Sequence, residues 1–234
     1  MDDPFPPAMM PDIQAFFRDV HPHLPPGRTA YPEVFYSPSF YPLQRMKETQ
    51  RMIEIASSVC PRVVMEIGAD KGGGLYHWCQ IPTVDYVIGC EVRGTPYAEE
   101  FERGFPDRQF LWLPQSSYAP GTFSLVRSWL GPKTIDCLFI DGEKTQFMTD
   151  FRTYLPLMRR GGVVFLHDVT ESPMGDVFHE LANRYRSDLI VNREESEAAV
   201  ERGRLKVPVG SPYEGWLRHW HGRSCGVGVL YMDR

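Results

Sequence analysis

The sequence predicts an α/β protein built on a doubly wound, mainly parallel sheet. Three observations carry the prediction. Short apolar runs of strand length recur along the chain, each separated from the next by a segment with helical periodicity. The first run, VVMEIG at 63–68, ends in glycine and passes straight into ADKGGG. The chemically unusual residues fall just after the runs, and in such sheets ligands bind beyond the carboxyl ends of the strands.

The elements follow in order. From Leu43 to Val59, Met46, Ile53, Ile55 and Ala56 mark one apolar helix face, and Pro61 breaks it. Residues 63–68 read as a buried parallel strand and a tight turn, with Leu75 to Cys79 beginning the next helix. DYVIGCEV (85–92) is a second strand, TPYAEEFERGF (95–105) a helix, RQFLWL (108–113) a third strand, and FSLVRSWLG (123–131) a helix stopped by glycine. TIDCLFIDG (134–142) is a fourth strand. Thr145 to Met158 form a helix with Phe147, Phe151, Tyr154, Leu155 and Met158 on one face. GGVVFLHDV (161–169) is a fifth strand, and Met174, Val177, Phe178, Leu181 and Tyr185 mark another helix. DLIV (188–191) and GVGVLYM (226–232) are further strands. Strand and helix in alternation imply right-handed βαβ units.

Length and composition narrow the class. The 234 residues suit one domain, here 43–234, preceded by a Pro- and aromatic-rich arm or lid at 1–42. The net charge of −5, with no basic stripe, argues against a nucleic-acid partner. No apolar run is long enough for a bilayer, and the acidic, proline-rich start lacks the features of a signal peptide, so a cytoplasmic location is expected with no membrane partner. The 5 cysteines include no C-x-x-C pair, which points to buried, reduced thiols rather than a zinc site. The charged run from Asn192 to Arg202 reads as a solvated excursion. The aromatics of 211–226 (Tyr213, Trp216, Trp220, with His219 and His221) suit either an acceptor pocket or a subunit interface.

Two constellations hold the chemistry. The first is E-I-G-A-D-K-G-G-G from Glu66 to Gly74. Gly68 permits a tight turn, and Gly72 to Gly74 let backbone approach a ligand at a helix start. Neither the dinucleotide pattern nor the P-loop pattern is met. Glu91, after the second strand, can accept both hydroxyls of a ribose. The second constellation is Asp141-Gly142-Glu143-Lys144 after the fourth strand together with His167-Asp168 after the fifth. Two carboxylates and an imidazole converging at neighbouring strand ends can bind a divalent ion, with oxygen favouring Mg²⁺ and histidine favouring Mn²⁺ or its neighbours. Each of these residues also has a plainer reading, as a helix cap, a satisfied strand-end histidine or a solvated lysine.

The loop at 66–74 resembles the E/D-x-G-x-x-x-G signature of S-adenosylmethionine-dependent methyltransferases. IDGEKTQFMTDFRTYLPLMRRGGVVFLHD resembles the small bacterial O-methyltransferases of the macrocin and mycinamicin type, related to catechol O-methyltransferase and the cephalosporin hydroxylase-like group. The similarity spans about residues 60–170. It implies a Rossmann-like methyltransferase fold of seven strands with the last antiparallel. It implies S-adenosylmethionine held by Glu66, Gly68, Ala69, Lys71, Gly72, Glu91, Gln115, Ser116 and Asp141. It also implies a metal, Mg²⁺, on Asp141, His167 and Asp168. The acceptor would be a hydroxyl of a small molecule: a sugar-bearing or polyketide-type metabolite, or a phenol. Relatives commonly carry Asp-His where this chain has Glu143-Lys144, and an acidic residue where it has Gln115-Ser116. Lys144 or Glu143 would then take the acceptor proton, and a lysine in that role needs its pKa lowered. Three alternatives stay open: a metal-independent enzyme with His167 as base, a hydroxylase-type relative, and a non-catalytic cofactor-binding relative. Relatives that assemble through their N-terminal segments make a homo-oligomer a further expectation.

Overall fold

The computed structural model describes residues 46–95, 97–170, 173–190 and 226–233. The expectations for the 1–42 arm, the charged run after Asn192 and the aromatics of 211–225 lie outside these residues. In chain order the elements are α1 (Met46–Ser58), β1 (Val63–Ile67), α2 (Gly73–Cys79), β2 (Tyr86–Cys90), α3 (Ala98–Gly104), β3 (Gln109–Leu113), α4 (Thr122–Leu130), β4 (Ile135–Ile140), α5 (Phe147–Tyr154), β5 (Met158–His167), α6 (Met174–Ala182), β6 (Arg186–Ile190) and β7 (Val227–Tyr231).

The strands form one seven-stranded sheet in the order β3-β2-β1-β4-β5-β7-β6. β7 runs antiparallel to both of its neighbours, and the remaining pairs are parallel. Every residue of β1 and β4 is buried, because helices cover both faces there. Strand alternation then sorts the core. Cys137 and Phe139 of β4 face the layer of α1, α2 and α3, with Met52, Ile55, Trp78 and Phe101. Leu138 and Ile140 face α4, α5 and α6, with Val126, Phe147, Phe151 and Phe178. β6 is the exposed edge, and its charged Arg186 and Asp188 suit an edge that must not recruit another strand.

The edge of β4 remote from the site is fixed by Asp136. This buried carboxylate accepts the backbone N–H groups of Arg62 (2.7 Å) and Val63 (2.8 Å) and pairs with Arg159 of β5. It therefore sets the relative heights of β1, β4 and β5, whose opposite ends carry Gly68, Asp141 and His167.

Three local expectations are corrected. The helix expected over Thr145–Met158 is a 3₁₀ turn (Lys144–Gln146), then α5, then a second 3₁₀ turn (Leu155–Leu157) containing Pro156, which cannot continue an α-helical ladder. β5 consequently begins at Met158, ahead of the glycine pair expected to start it. Cys79, Cys90 and Cys137 are buried free thiols, but Cys60, at φ +50° in the turn after α1, is exposed. Cys225 lies outside the described residues.

Candidate active site

β1 and β4 are neighbours whose connections leave in opposite directions, so a crevice opens at their carboxyl ends. The glycine loop fills one wall. Gly68 sits at φ +83°, and its N–H and that of Ala69 both donate to the carbonyl of Cys90 at the end of β2 (2.9 and 3.2 Å). A Cβ on Gly68 would collide with the backbone carbonyl of Asp141. The loop thus lies in direct contact with the end of β4. Asp141 N–H in turn donates to Ile67 C=O at 2.8 Å.

Two of the glycines that follow are packed closely by the protein itself. Gly72, at φ +92°, presents its bare Cα to the Phe101 ring, where a Cβ would approach to 2.7 Å, and Gly74 does the same toward the Glu66 carboxylate. The Cβ side of these two glycines is thus taken up by α3 and by Glu66. Lys71, just before Gly72 on the loop, is half-buried.

Glu66 is buried at 2% exposure, and its Oε2 accepts Trp78 Nε1–H at 2.8 Å. Burial, reinforced by the nearby Asp141 charge, pushes its carboxyl well above the usual carboxylate range. Glu91 stands at the end of β2 as expected. Its Oε2 accepts the Asp70 N–H at 3.0 Å, and its Oε1 accepts the Arg93 N–H at 3.2 Å. After β3, Gln115 Nε2 donates to Thr122 Oγ1 (2.7 Å), which donates to Ser116 C=O (2.9 Å). The next residue, Ser117, donates from Oγ to Oδ1 of the fully buried Asp150 at 2.6 Å.

The second constellation converges as the strand order requires. One ligand atom each from Asp141, His167 and Asp168 lie within 4.8 Å of one another. His167 Nδ1 is 3.0 Å from Asp141 Oδ1 and 3.2 Å from Asp168 Oδ1. Lys144 Nζ is 2.7 Å from Asp141 Oδ1 and 2.5 Å from Asp168 Oδ2. Asp168 adopts φ +61°, a left-handed conformation that turns its carboxylate back toward Lys144 and His167; aspartate tolerates it better than most residues.

The electrostatics follow from this crowding. Burial works against the imidazolium of His167, yet the two carboxylates outweigh it and carry the ring up to about 10. Burial likewise opposes the Lys144 ammonium, and Asp141 and Asp168 overcome it, raising the amine. The aspartates resist burial in turn: His167 and Lys144 hold both below the usual carboxylate range. Glu143 stands apart from the cluster, exposed, with Oε1 accepting Thr145 Oγ1–H at 3.1 Å. Trp78 and Asp150 escaped sequence reasoning. Asp150 leaves a trace, a carboxylate at helical spacing within the apolar Phe147, Phe151, Tyr154 stripe.

Comparison with known proteins bears on the fold that carries this site. Residues 65–169 match the model of a family described as a methyltransferase domain. No curated protein matches the chain. Among solved structures, the O-methyltransferase from Bacillus cereus in complex with SAH aligns with TM-score 0.53 and 15% identity, over 85% of this chain and 87% of that one. The cofactor-bound Rv0187 from MTB aligns with TM-score 0.55 and 17% identity, over 96% of this chain and 98% of that one. At such identities the likeness establishes the fold. Both constellations fall inside the matched span, and residues 65–169 of this chain are similar to a methyltransferase domain.

Proposed function

We propose that the chain is an S-adenosylmethionine-dependent O-methyltransferase acting on a hydroxyl of a small molecule, with a divalent ion at Asp141, His167 and Asp168. The acceptor class is a sugar-bearing or polyketide-type metabolite, or a phenol. One observation carries the reading: the Gly68 loop abuts Asp141, so a methyl donor on the loop and an acceptor beside the cluster would meet at one end of the sheet. The methyltransferase-domain match supports it, as does a fold shared with an O-methyltransferase in complex with SAH.

The donor set fits the ion. Two carboxylates and an imidazole suit Mg²⁺ or Mn²⁺, and the Lys144 ammonium already rests between the two carboxylates as a cation. When bound, such an ion supplies the positive charge that lowers the pKa of a nearby hydroxyl. The chain's own residues do the rest. Gly68, Ala69, Lys71 and Gly72 shape the cofactor loop, with Glu66 behind it. Glu91 offers its carboxylate to the ribose, Gln115 and Ser116 face the adenine end, and Asp141 borders both cofactor and cluster. Their shared task is to align donor and acceptor. The acceptor proton goes to Glu143 or Lys144, the latter only once its ammonium has left the two carboxylates and lost its proton. His167, carried up to about 10 beside Asp141 and Asp168, holds its proton and is a poor base in that state.

Calorimetric titration with S-adenosylhomocysteine, with Mg²⁺ and again with a chelator, tests the reading. Binding at about micromolar strength in either buffer, followed by methyl transfer to hydroxyl acceptors, is expected. No binding in either buffer overturns it.

A further inference from the structure

Lys144 is placed inside the cluster rather than beside it. Its Nζ spans Asp141 Oδ1 and Asp168 Oδ2 at 2.7 and 2.5 Å, two of the three side chains that would hold a divalent ion. The residue opens the 3₁₀ turn directly after β4, only three positions beyond Asp141. So short a tether gives the ammonium an effective concentration at the carboxylates that dilution does not change. The side chain is nevertheless 35% exposed, and its Nζ lies 5.4 Å from the centroid of the Phe147 ring. It therefore has an open side through which to leave.

An ammonium and a divalent ion cannot both sit on these oxygens. An ion in coordination distance of Asp141 and Asp168 would lie in contact with Nζ, and like charges at contact repel strongly where water is scarce. We propose that Lys144 is a tethered cation that competes with the divalent ion for the Asp141–Asp168 pair. The site then has a lysine-held state and an ion-held state, and the ion's arrival swings the Lys144 amine outward. The inference rests on the reading of the cluster as a divalent-ion site. It gives the lysine a function in setting ion affinity that is separate from any part in proton transfer. It also predicts that the protein binds divalent ions more weakly than three such donors would alone.

Direct Mn²⁺ binding to the full-length protein tests it, monitored by the loss of the free-ion electron paramagnetic resonance signal. Wild type is compared with Lys144→Gln, Lys144→Met and Lys144→Arg, each checked for folding by circular dichroism. Gln and Met are expected to tighten Mn²⁺ binding by about tenfold or more, as removal of one close positive charge implies. Arg, which keeps the charge, is expected to stay as weak as wild type. Adding Asp141→Asn to Lys144→Gln is expected to abolish the gain. Equal affinity in wild type, Gln and Met would overturn the competition while leaving the ion site standing. No Mn²⁺ binding by the Gln and Met variants would overturn both the competition and the divalent-ion reading. S-adenosylhomocysteine binding, measured on the same samples, reports separately on the cofactor.

Discussion

Trp78 Nε1 donates to Glu66 Oε2 at 2.8 Å, and both residues are buried. The bond joins α2 to the end of β1 across the glycine loop, so it fixes the loop from behind. The Trp78 ring also stacks on Phe165 at 5.8 Å and meets Phe139 edge-on. Trp78→Phe keeps an aromatic ring there and removes the donor, leaving a buried carboxyl short of its partner. Stability should fall by about 1–3 kcal/mol, the cost of unsatisfying a buried polar group. S-adenosylhomocysteine affinity should fall with it. Urea unfolding and calorimetry would measure the two, and an unchanged affinity in a destabilised protein would separate the loop's position from this bond.

Gly68 tests the same wall from the front. Its φ of +83° is strained for any side chain, and a Cβ there meets the Asp141 carbonyl and comes within 2.9 Å of the Gly142 nitrogen. Gly68→Ala carries a conformational cost of about 1–2 kcal/mol before any collision is counted. Gly68→Val adds a β-branch that forces β4's end away from the loop. Expected outcomes are weakened cofactor binding in the alanine variant and none in the valine variant. Alanine binding with wild-type affinity would show that the β1–β4 contact is dispensable.

Much of this arrangement was legible in the sequence, and the reasons differ by element. β1, β2 and β4 are covered on both faces, so they read as continuous apolar runs whose ends carry Gly68, Glu91 and Asp141. The convergence of Asp141, His167 and Asp168 was legible because strand adjacency alone brings two such ends together. What could not be read were contacts made by packing in three dimensions. Trp78 looks like an ordinary core aromatic until α2 folds back on Glu66. That the bare faces of Gly72 and Gly74 also admit Phe101 and the Glu66 carboxylate could not be read from the sequence. Lys144 could be placed near the cluster by its spacing from Asp141. Its bridging of two carboxylates depends on the left-handed turn at Asp168.

Asp141 is the largest upward influence on the His167 imidazole, which burial alone would depress. Asp141→Asn removes that charge while keeping the side chain's shape. The His167 ring should therefore titrate well below the value of about 10 it has beside two carboxylates. Nuclear magnetic resonance of the imidazole protons would follow the change. The variant should also lose ion-dependent turnover while still binding S-adenosylhomocysteine. An unmoved His167 titration would mean that Asp168 dominates the ring instead.

Asp150 supplies a pH signature independent of the cluster. Burial raises its carboxyl from 3.8 to about 6, with the Ser117 hydroxyl bond pulling weakly the other way. Its Oδ2 has no hydrogen-bond partner among the described residues, so the Ser117 hydroxyl on Oδ1 offsets the charge of ionisation only in part. A group whose folded pKa is raised contributes stability that is complete below its unfolded pKa. That contribution is lost as the pH rises through the folded value, here between 3.8 and about 6. Asp150→Asn abolishes the titration but keeps an oxygen for Ser117. Its amide places an NH₂ group where Oδ2 stood, and any cost of that replacement does not vary with pH and shifts the whole curve without changing its slope. The stability difference between wild type and the Asp150→Asn variant should therefore move in the variant's favour by on the order of 2–3 kcal/mol from pH 4 to pH 7. Urea unfolding of both proteins across that range measures it, since every other titrating group is common to the two and cancels. A difference that stays constant with pH would show that Asp150 does not titrate there.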